Sequence, residues 1–336
     1  MDPDSRAPAP PPPSRRVDGA GSLVRSGRST LVAIGNFDGV HAGHRAVLGA
    51  AVADARSRGL QPVVLTFHPH PAEVLGRGRQ ATLTALDRKV ELLCRLDPAL
   101  RVVVEPFTKQ LAAMTPRAFA EELLVQALGA KIVVVGQNFR FGHDRAGDLT
   151  MLETLGRELG FEARAEPLAH DAAGPFSSSR IRELVAQGDV RRAEALLGRP
   201  HMISGEVVRG DGRGRTVGIP TANLGGVTEA LPEHGVYSCL VDVVDETGPR
   251  KLGTGVANID NRPTVAAGFS VEVYVHDFDG DLYGARLRVH LVDRIREERK
   301  FANLDALVRQ IRTDIETARA QTSAREPDPA AGGAWH

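Results

Sequence analysis

Between about residues 29 and 170, short apolar runs rich in β-branched residues alternate with longer stretches of helical period. The runs are LVAIG (31–35), VVLTF (63–67), RVVVE (101–105) and KIVVVG (131–136). Each is nearly continuous rather than alternating, the pattern of strands covered on both faces in a parallel sheet. After the first run, Val47, Leu48, Ala51, Val52 and Ala55 share one side of a predicted helix, which gives the βαβ rhythm of a doubly wound α/β domain.

From about residue 203 the pattern changes to short strands parted by Gly and Pro turns: GVYSCLVDVV (235–244), GVANI (255–259), SVEVYVHD (270–277) and ARLRVHLV (285–292). Val271, Val273 and Val275 face one way, and Glu272, Tyr274 and His276 the other. That predicts a half-buried antiparallel sheet closed into a small barrel. Leu304, Leu307, Val308, Ile311 and Ile315 predict a closing helix, and the join between the halves is expected between Gly188 and Pro200. Residues 1–26, rich in Pro, Gly, Ser and Arg, and residues 323–336 have little to bury and are expected to be disordered tails, with Trp335 at most a weak anchor. The expected domains are therefore 27–198 and 199–322.

The length of 336 residues suits about two domains at roughly 150 residues each. With 42 Lys plus Arg against 42 Asp plus Glu, no net field draws the chain to nucleic acid or an anionic membrane, so neither is an expected partner and any anion site must be local. Cys94 and Cys239 stand far apart, which excludes a disulfide framework and argues against structural zinc. There is no apolar run long enough to span a bilayer and no signal-peptide core, so a cytoplasmic location is expected.

Candidate chemistry clusters where an α/β sheet binds ligands, after strand carboxyl ends. Gly35-Asn36-Phe37-Asp38-Gly39-Val40-His41-Ala42-Gly43-His44 leads from the first strand into the first helix. Two His three residues apart, separated by small residues, can hydrogen-bond a triphosphate at a helix N-terminus and stabilise charge as its α-phosphorus is attacked. Ser177, Ser178, Ser179, Arg180 and Arg182 read as an anion cradle at another helix start, or as an ordinary serine cap with solvated arginines. TFHPHP (66–71) and GQNFRFGH (136–143) end the second and fourth strands; Phe139 and Phe141 can stack on a planar ring or close the core.

In the second half, Gly210, Gly212, Gly214 and Gly218 open a loop to phosphate without forming a Walker A or GxGxxG pattern. Thr221 and Asn223, two residues apart on an extended segment, can both offer oxygen to one Mg²⁺. Glu272 is the candidate base for a substrate hydroxyl. Asp277, Asp279 and Asp281 fail the EF-hand pattern and are read as a hairpin turn around Asp279-Gly280.

GNFDGVHAGH, TFHPHP, FRFG with Arg145 and Gly147 after it, FSSSRIR and PTAN stand in the order and spacing of the bacterial bifunctional riboflavin kinase and FMN adenylyltransferase (FAD synthetase) family, which the chain resembles over roughly residues 29–320. The resemblance implies a nucleotidyltransferase-like, Rossmann-type N-terminal domain and a β-barrel riboflavin kinase domain with a C-terminal helix. It implies phosphorylation of riboflavin to FMN, then adenylyl transfer from ATP giving FAD and pyrophosphate. It implies that His41 and His44 assist adenylyl transfer, that Gly35, Asn36, Phe37, Asp38, Ser177, Ser178, Ser179 and Arg182 hold ATP, and that Asn138, Arg296 and Phe301 meet flavin. Thr221 and Asn223 would hold the Mg²⁺ nucleotide of the kinase, beside the Gly212 and Gly214 loop, with Glu272 catalytic. Two positions depart from the family: Asp260-Asn261 where a glycine is common, and His276 where an apolar residue is usual. A chain active only as the adenylyltransferase, or a binding protein without catalysis, are the competing readings; an intact Thr221, Asn223 and Glu272 argues against the first.

Overall fold

A computed structural model describes residues 15–23, 27–76, 78, 81–167, 170–172, 174–210, 218–260 and 269–335. The described residues form two compact units, one within 11–80 and 86–177, the other within 81–85 and 178–336.

The first unit is built on six parallel strands: β1 (Arg16–Asp18), β2 (Thr30–Ile34), β3 (Gln61–His68), β4 (Arg101–Pro106), β5 (Ala130–Gly136) and β6 (Glu162–Glu166), in the order β1-β4-β3-β2-β5-β6. A short ribbon, β7 (His170–Asp171) with β8 (Gly174–Pro175), follows. The helices are α1 (Ala42–Ser57), α2 (Pro71–Val74), α3 (Leu86–Leu96), α4 (Lys109–Ala112), α5 (Pro116–Ala118), which continues as a π-helix over Phe119–Ala127, and α6 (Leu149–Leu159). Alternate residues of each central strand feed opposite cores. Val32, Ile34, Val133 and Val135 meet Phe119, Leu124 and Leu152 on one face, while Leu31, Ala33, Ile132 and Val134 meet α1 and α3 on the other. Continuous apolar runs therefore mark strands with no solvent face. Successive strands run outward from β2 through β3 to β4, then restart beyond β2 with β5, so the topological switch lies between β2 and β5. Ligands bind at such a switch, outside the strand carboxyl ends.

The second unit begins with α7 (Ser178–Ala186) and α8 (Val190–Leu197). A closed barrel follows, of β9 (His201–Val208), β10 (Ala222–Gly225), β11 (Gly235–Asp245), β12 (Gly248–Asp260), β13 (Ser270–Val275) and β14 (Arg286–Arg296), ordered β10-β13-β12-β11-β14-β9 with every pair antiparallel. Ile203, Tyr237, Cys239, Val241, Val273 and Val289 fill its interior. The closing helix, α9 (Leu304–Thr322), is capped by Asn303 and lays Ile315 and Ala318 on the outward Val236 and Val256.

Three expectations are corrected. Residues 15–23 fold: β1 pairs in parallel with β4, and Ala20 and Leu23 are buried, because a three-residue strand needs only a few small apolar side chains to cover a sheet edge. The C-terminal segment is ordered as well. Trp335 is 1% exposed, packs on Leu240 and Val292, donates its backbone N–H to Asp242 and its indole N–H to the Val241 and Gly253 carbonyls, and lies under the Lys251 ammonium. Small neighbours Ala331 and Ala334 let the chain approach closely enough for this. No hairpin forms around Asp279-Gly280, since β13 already has β10 and β12 on its two edges and cannot pair with β14. Val190 of α8 packs with the barrel core, and the compact units divide between Ser177 and Ser178.

Truncating a buried aromatic of this size costs about 3–5 kcal/mol. Trp335→Ala is therefore expected to lower the barrel's stability by about that amount in urea unfolding followed by circular dichroism. A shift below about 0.5 kcal/mol, the size of an ordinary surface change, would contradict the packing described.

Candidate functional sites

The first site lies where β2 gives way to α1. The Gly35 N–H donates to the Leu65 carbonyl at 3.1 Å, and the Phe37 ring lies over Gly35 so closely that an added Cβ would sit 3.0 Å from it. Phe37 (φ 48), Gly39 (φ 84) and Val40 (φ 40) are all left-handed. For Phe and Val that conformation costs of order 1–3 kcal/mol each and persists only where the surroundings over-determine it. Here both side chains are driven into the core shared with α1 and α3, and the loop is pinned at both ends. Arg45 donates to the Val40 carbonyl at 2.9 Å, and Lys89 donates to the Asn36 carbonyl at 3.0 Å.

His41 caps α1: its Nδ1 accepts the His44 N–H at 3.3 Å, which leaves the proton of the neutral ring on Nε2. The two imidazoles stack with centroids 3.6 Å apart, and Phe37 meets His44 edge-on at 5.3 Å. Burial, then the electrostatic influence of the neighbouring His41, Lys89 and Arg45, holds His44 well below the usual imidazole range. His44 is thus neutral at pH 7, and its buried Nδ1 has no hydrogen-bond partner. A Cβ on Gly43 would lie 3.0 Å from Phe176 Cβ and 3.2 Å from the His41 ring, so a side chain there would press on both.

These groups open into a cavity of about 920 Å³ at the switch between β2 and β5. Gly35, Asn36, Phe37, His41, His44 and Asn138 line it, and Phe67, Phe107 and Phe139 give it aromatic walls. A concave, aromatic pocket with a few convergent polar groups suits a planar ring joined to a phosphate. Asp38 is not on the cavity wall; it is buried, and its charge favours the ammonium form of Lys89. Ser177 ends the first unit, whereas Ser178, Ser179 and Arg182 lie on α7 in the second, where Arg182 Nε donates to the Ala81 carbonyl at 3.1 Å.

Lys89 was missed by the motif reading. It is 8% exposed, and burial lowers its pKa to about 8. The signal was present: Leu86, Lys89, Val90 and Leu93 fall at i, i+3, i+4 and i+7, which puts a lysine on the apolar face of α3.

The second site is a polar row across three barrel strands. Register sets Glu272 of β13 opposite Asn223 of β10 on one side and Asn258 of β12 on the other. Thr221 Oγ1 lies 3.5 Å from Glu272 Oε2. Asn223 lies so close to Gly210 that a Cβ there would fall 2.3 Å from Nδ2, so the glycine keeps the amide's place open. Asn258 Nδ2 donates to Glu298 at 3.3 Å, while Asn258 Oδ1 and Ser270 Oγ are buried without a protein hydrogen-bond partner and are left to a water or a polar ligand. Among the described residues no group of three or more His, Cys, Asp or Glu could hold a metal ion. The hydroxyl and amide oxygens of Thr221 and Asn223 fit a hard cation that completes its shell with phosphate and water. Gly212 and Gly214 lie outside the described residues.

Arg296 is gripped by buried Asp314 through bonds of 2.8 to 3.1 Å and lies 5.6 Å from the Phe301 ring centroid, forming a cation-aromatic platform at the end of β14. Asp260 ends β12 in extended pairing with Ser270 and needs no left-handed turn; Asn261 is outside the described residues. His276 is buried, its Nδ1 paired with Thr254 Oγ1 at 2.9 Å, and burial followed by the Arg319 charge pushes it down to about 4. A neutral imidazole thus fills the place of an apolar side chain.

Residues 24–180 match the FAD synthetase family, and residues 197–322 match the riboflavin kinase family. The bifunctional riboflavin kinase/FMN adenylyltransferase of Escherichia coli K12 is 41% identical over 293 residues, covering 86% of this chain and 91% of that protein. The chain belongs to the bifunctional riboflavin kinase/FMN adenylyltransferase family. Members from Pseudomonas fluorescens and Bacillus subtilis are 37% and 36% identical, covering 90% and 86% of this chain and 96% and 91% of their own. A crystal structure described as a macrolide-efflux protein from Streptococcus pneumoniae shares the fold of this family member, with a TM-score of 0.76 at 30% identity over 91% of this chain and 99% of that one. Among the described residues no helix is long and apolar enough to cross a membrane.

The His276 environment has a pH consequence. Its folded pKa of about 4 lies below the ordinary 6.5, so as pH falls from 6.5 towards 4 the unfolded chain takes up a proton that the native barrel refuses. Its contribution to stability, full above pH 6.5, is lost across that window. Thermal melts of His276→Gln should be less pH-dependent between 4 and 6.5 than those of the wild type, and equal slopes would refute the assignment.

Proposed function

We propose that the chain uses ATP at two separate sites, with Glu272, Thr221 and Asn223 serving riboflavin phosphorylation in the barrel, and His41 and His44 serving FMN adenylylation at the parallel sheet. The activities are those of a riboflavin kinase and an FMN adenylyltransferase. The observation that carries the assignment of residues is the pairing, in one chain, of a neutral stacked imidazole pair at a sheet switch point with a carboxylate flanked by oxygen donors in a barrel.

In the barrel, the terminal hydroxyl of the ribityl chain attacks the γ-phosphorus of ATP, its proton passes to Glu272, and ADP leaves. Thr221 and Asn223 would hold the Mg²⁺ of the nucleotide, which would neutralise phosphate charge when bound. Arg296 and Phe301 face the flavin ring. At the parallel sheet, a phosphate oxygen of FMN attacks the α-phosphorus of ATP and pyrophosphate leaves. His41 Nε2–H and the His44 ring hydrogen-bond the α-phosphate oxygens as charge builds on them. Neutral rings serve here because each keeps a donor without bringing a second buried charge. Gly35, Asn36, Phe37 and Asp38 form the nucleotide loop, and Asn138 orients the flavin. Both reactions use small cytoplasmic metabolites, with no nucleic-acid or membrane partner.

Purified protein incubated with riboflavin, ATP and Mg²⁺, and resolved by chromatography, should yield FMN and FAD, and chelation of the metal should stop both. Glu272→Gln is expected to slow FMN formation about 10²- to 10⁴-fold with FMN adenylylation intact. His44→Ala should lower FAD formation from FMN by about 10²- to 10³-fold and leave the kinase unchanged. Equal loss of both activities in either folded variant would rule out independent sites.

A further inference from the structure

Lys89 projects from α3, away from the cavity wall, and its ammonium is enclosed under the loop that joins β2 to α1. It donates to the Asn36 carbonyl and to Thr66 Oγ1, both at 3.0 Å, while the Thr66 hydroxyl donates to the same carbonyl at 3.2 Å. Two donors from two elements therefore fix one peptide, and the left-handed residues Phe37, Gly39 and Val40 begin immediately after it. The far end of the loop is tied by Arg45 to the Val40 carbonyl, and the next residue is the capping His41. An exposed lysine could make such bonds only weakly. This one has given up most of its hydration for them, so the pairing is worth more and breaking it costs more.

We infer that Lys89 is a positioning residue for adenylyl transfer, its buried ammonium holding the Asn36 peptide so that the loop presents the His41–His44 pair, and supplying positive charge beneath the nucleotide. The inference rests on the adenylyltransferase reading of the parallel-sheet unit. Lys89 touches no reacting atom in this arrangement; it acts through the loop and through its field. The titratable groups coupled to it are Asp38, whose charge favours the ammonium, and His44, which the ammonium helps to keep neutral. An anion in the cavity also favours the ammonium, so ATP binding and Lys89 protonation reinforce each other.

The test is the rate of FAD formation from FMN against pH, with riboflavin phosphorylation measured in the same samples. Below about pH 8 the free enzyme carries the ammonium, and above it the neutral amine, so kcat/KM for ATP in the wild type should fall as pH rises through about 8. Lys89→Met should lower FAD formation by about 10²-fold, the scale of an ångström of misplacement, remove that alkaline limb, and leave FMN formation unchanged. Thr66→Val removes the hydroxyl bridge and keeps the charge; it should lose less activity and retain the limb. A folded Lys89→Met that forms FAD within twofold of wild type, or that keeps the limb, overturns the inference. Should the wild type make FMN and no FAD, the adenylyltransferase reading fails on its own. Amide exchange of residues 36–44 then decides the positioning role, which stands if Lys89→Met loses protection there and falls if protection is unchanged.

Discussion

The backbone between Ile34 and Ala42 must leave a buried parallel strand, turn, and enter a helix while presenting two imidazoles to a cavity. No relaxed conformation of ordinary residues does this, and the chain meets the constraint with left-handed geometry at Phe37, Gly39 and Val40. Glycine would relieve the strain at 37 and 40 and lose the anchoring. Phe37 supplies the ring that covers Gly35 and meets His44, and Val40 is a buried part of the sheet core, so strain in the backbone is offset by packing of the same residues. The loop is thereby held by packing and by hydrogen bonds at both ends, which suits phosphoryl chemistry, since that works by positioning and by prearranged donors.

The barrel solves a related problem by register. An antiparallel closed sheet sends alternate side chains in and out, and the outward residues of β11 would be wasted apolar surface without a cover. The helix α9 covers Val236, and Trp335 covers Leu240, which frees a different stretch of the wall for the polar row of Asn223, Glu272 and Asn258. Glu272 sits between valines that point inward, so its direction is fixed by the strand and not by a flexible loop. The buried pair of Arg296 and Asp314 fastens the helix to the end of β14, next to the Phe301 ring.

Strands buried on both faces were legible because a short, continuous β-branched run suits a strand with no solvent face and little else, and the motifs were legible because they follow those strands. What escaped were elements whose stability comes from partners remote in sequence. β1 has three residues and no pattern of its own; β6, reading EARAE, is an edge strand whose Arg164 is held by Asp54 and Glu166. Trp335 is a single aromatic in a segment of small residues, and composition says nothing about the groove that receives it. The Asp279-Gly280 pair had the chemistry of a hairpin turn, but the topology had already used both edges of β13. Lys89 is the instructive case, since its place on an apolar helical face was visible and only the loop it supports was not.

The charge of this chain sums to zero, so attraction for ATP has to be built locally. In the parallel-sheet unit the ammonium of Lys89 is buried under the loop, and beside the stacked imidazoles of His41 and His44 the cavity wall carries Lys109, Arg140 and Arg145. A charged imidazole in the same place would repel that ammonium and would itself have to be desolvated, which is why burial, His41, Lys89 and Arg45 all act to keep His44 unprotonated. Neutral donors aimed at an anion above a fixed positive charge gain strength as charge develops on the phosphate oxygens. In the proposed adenylyl transfer these hydrogen bonds strengthen most as that charge develops, so the arrangement favours the transition state over the bound ground state.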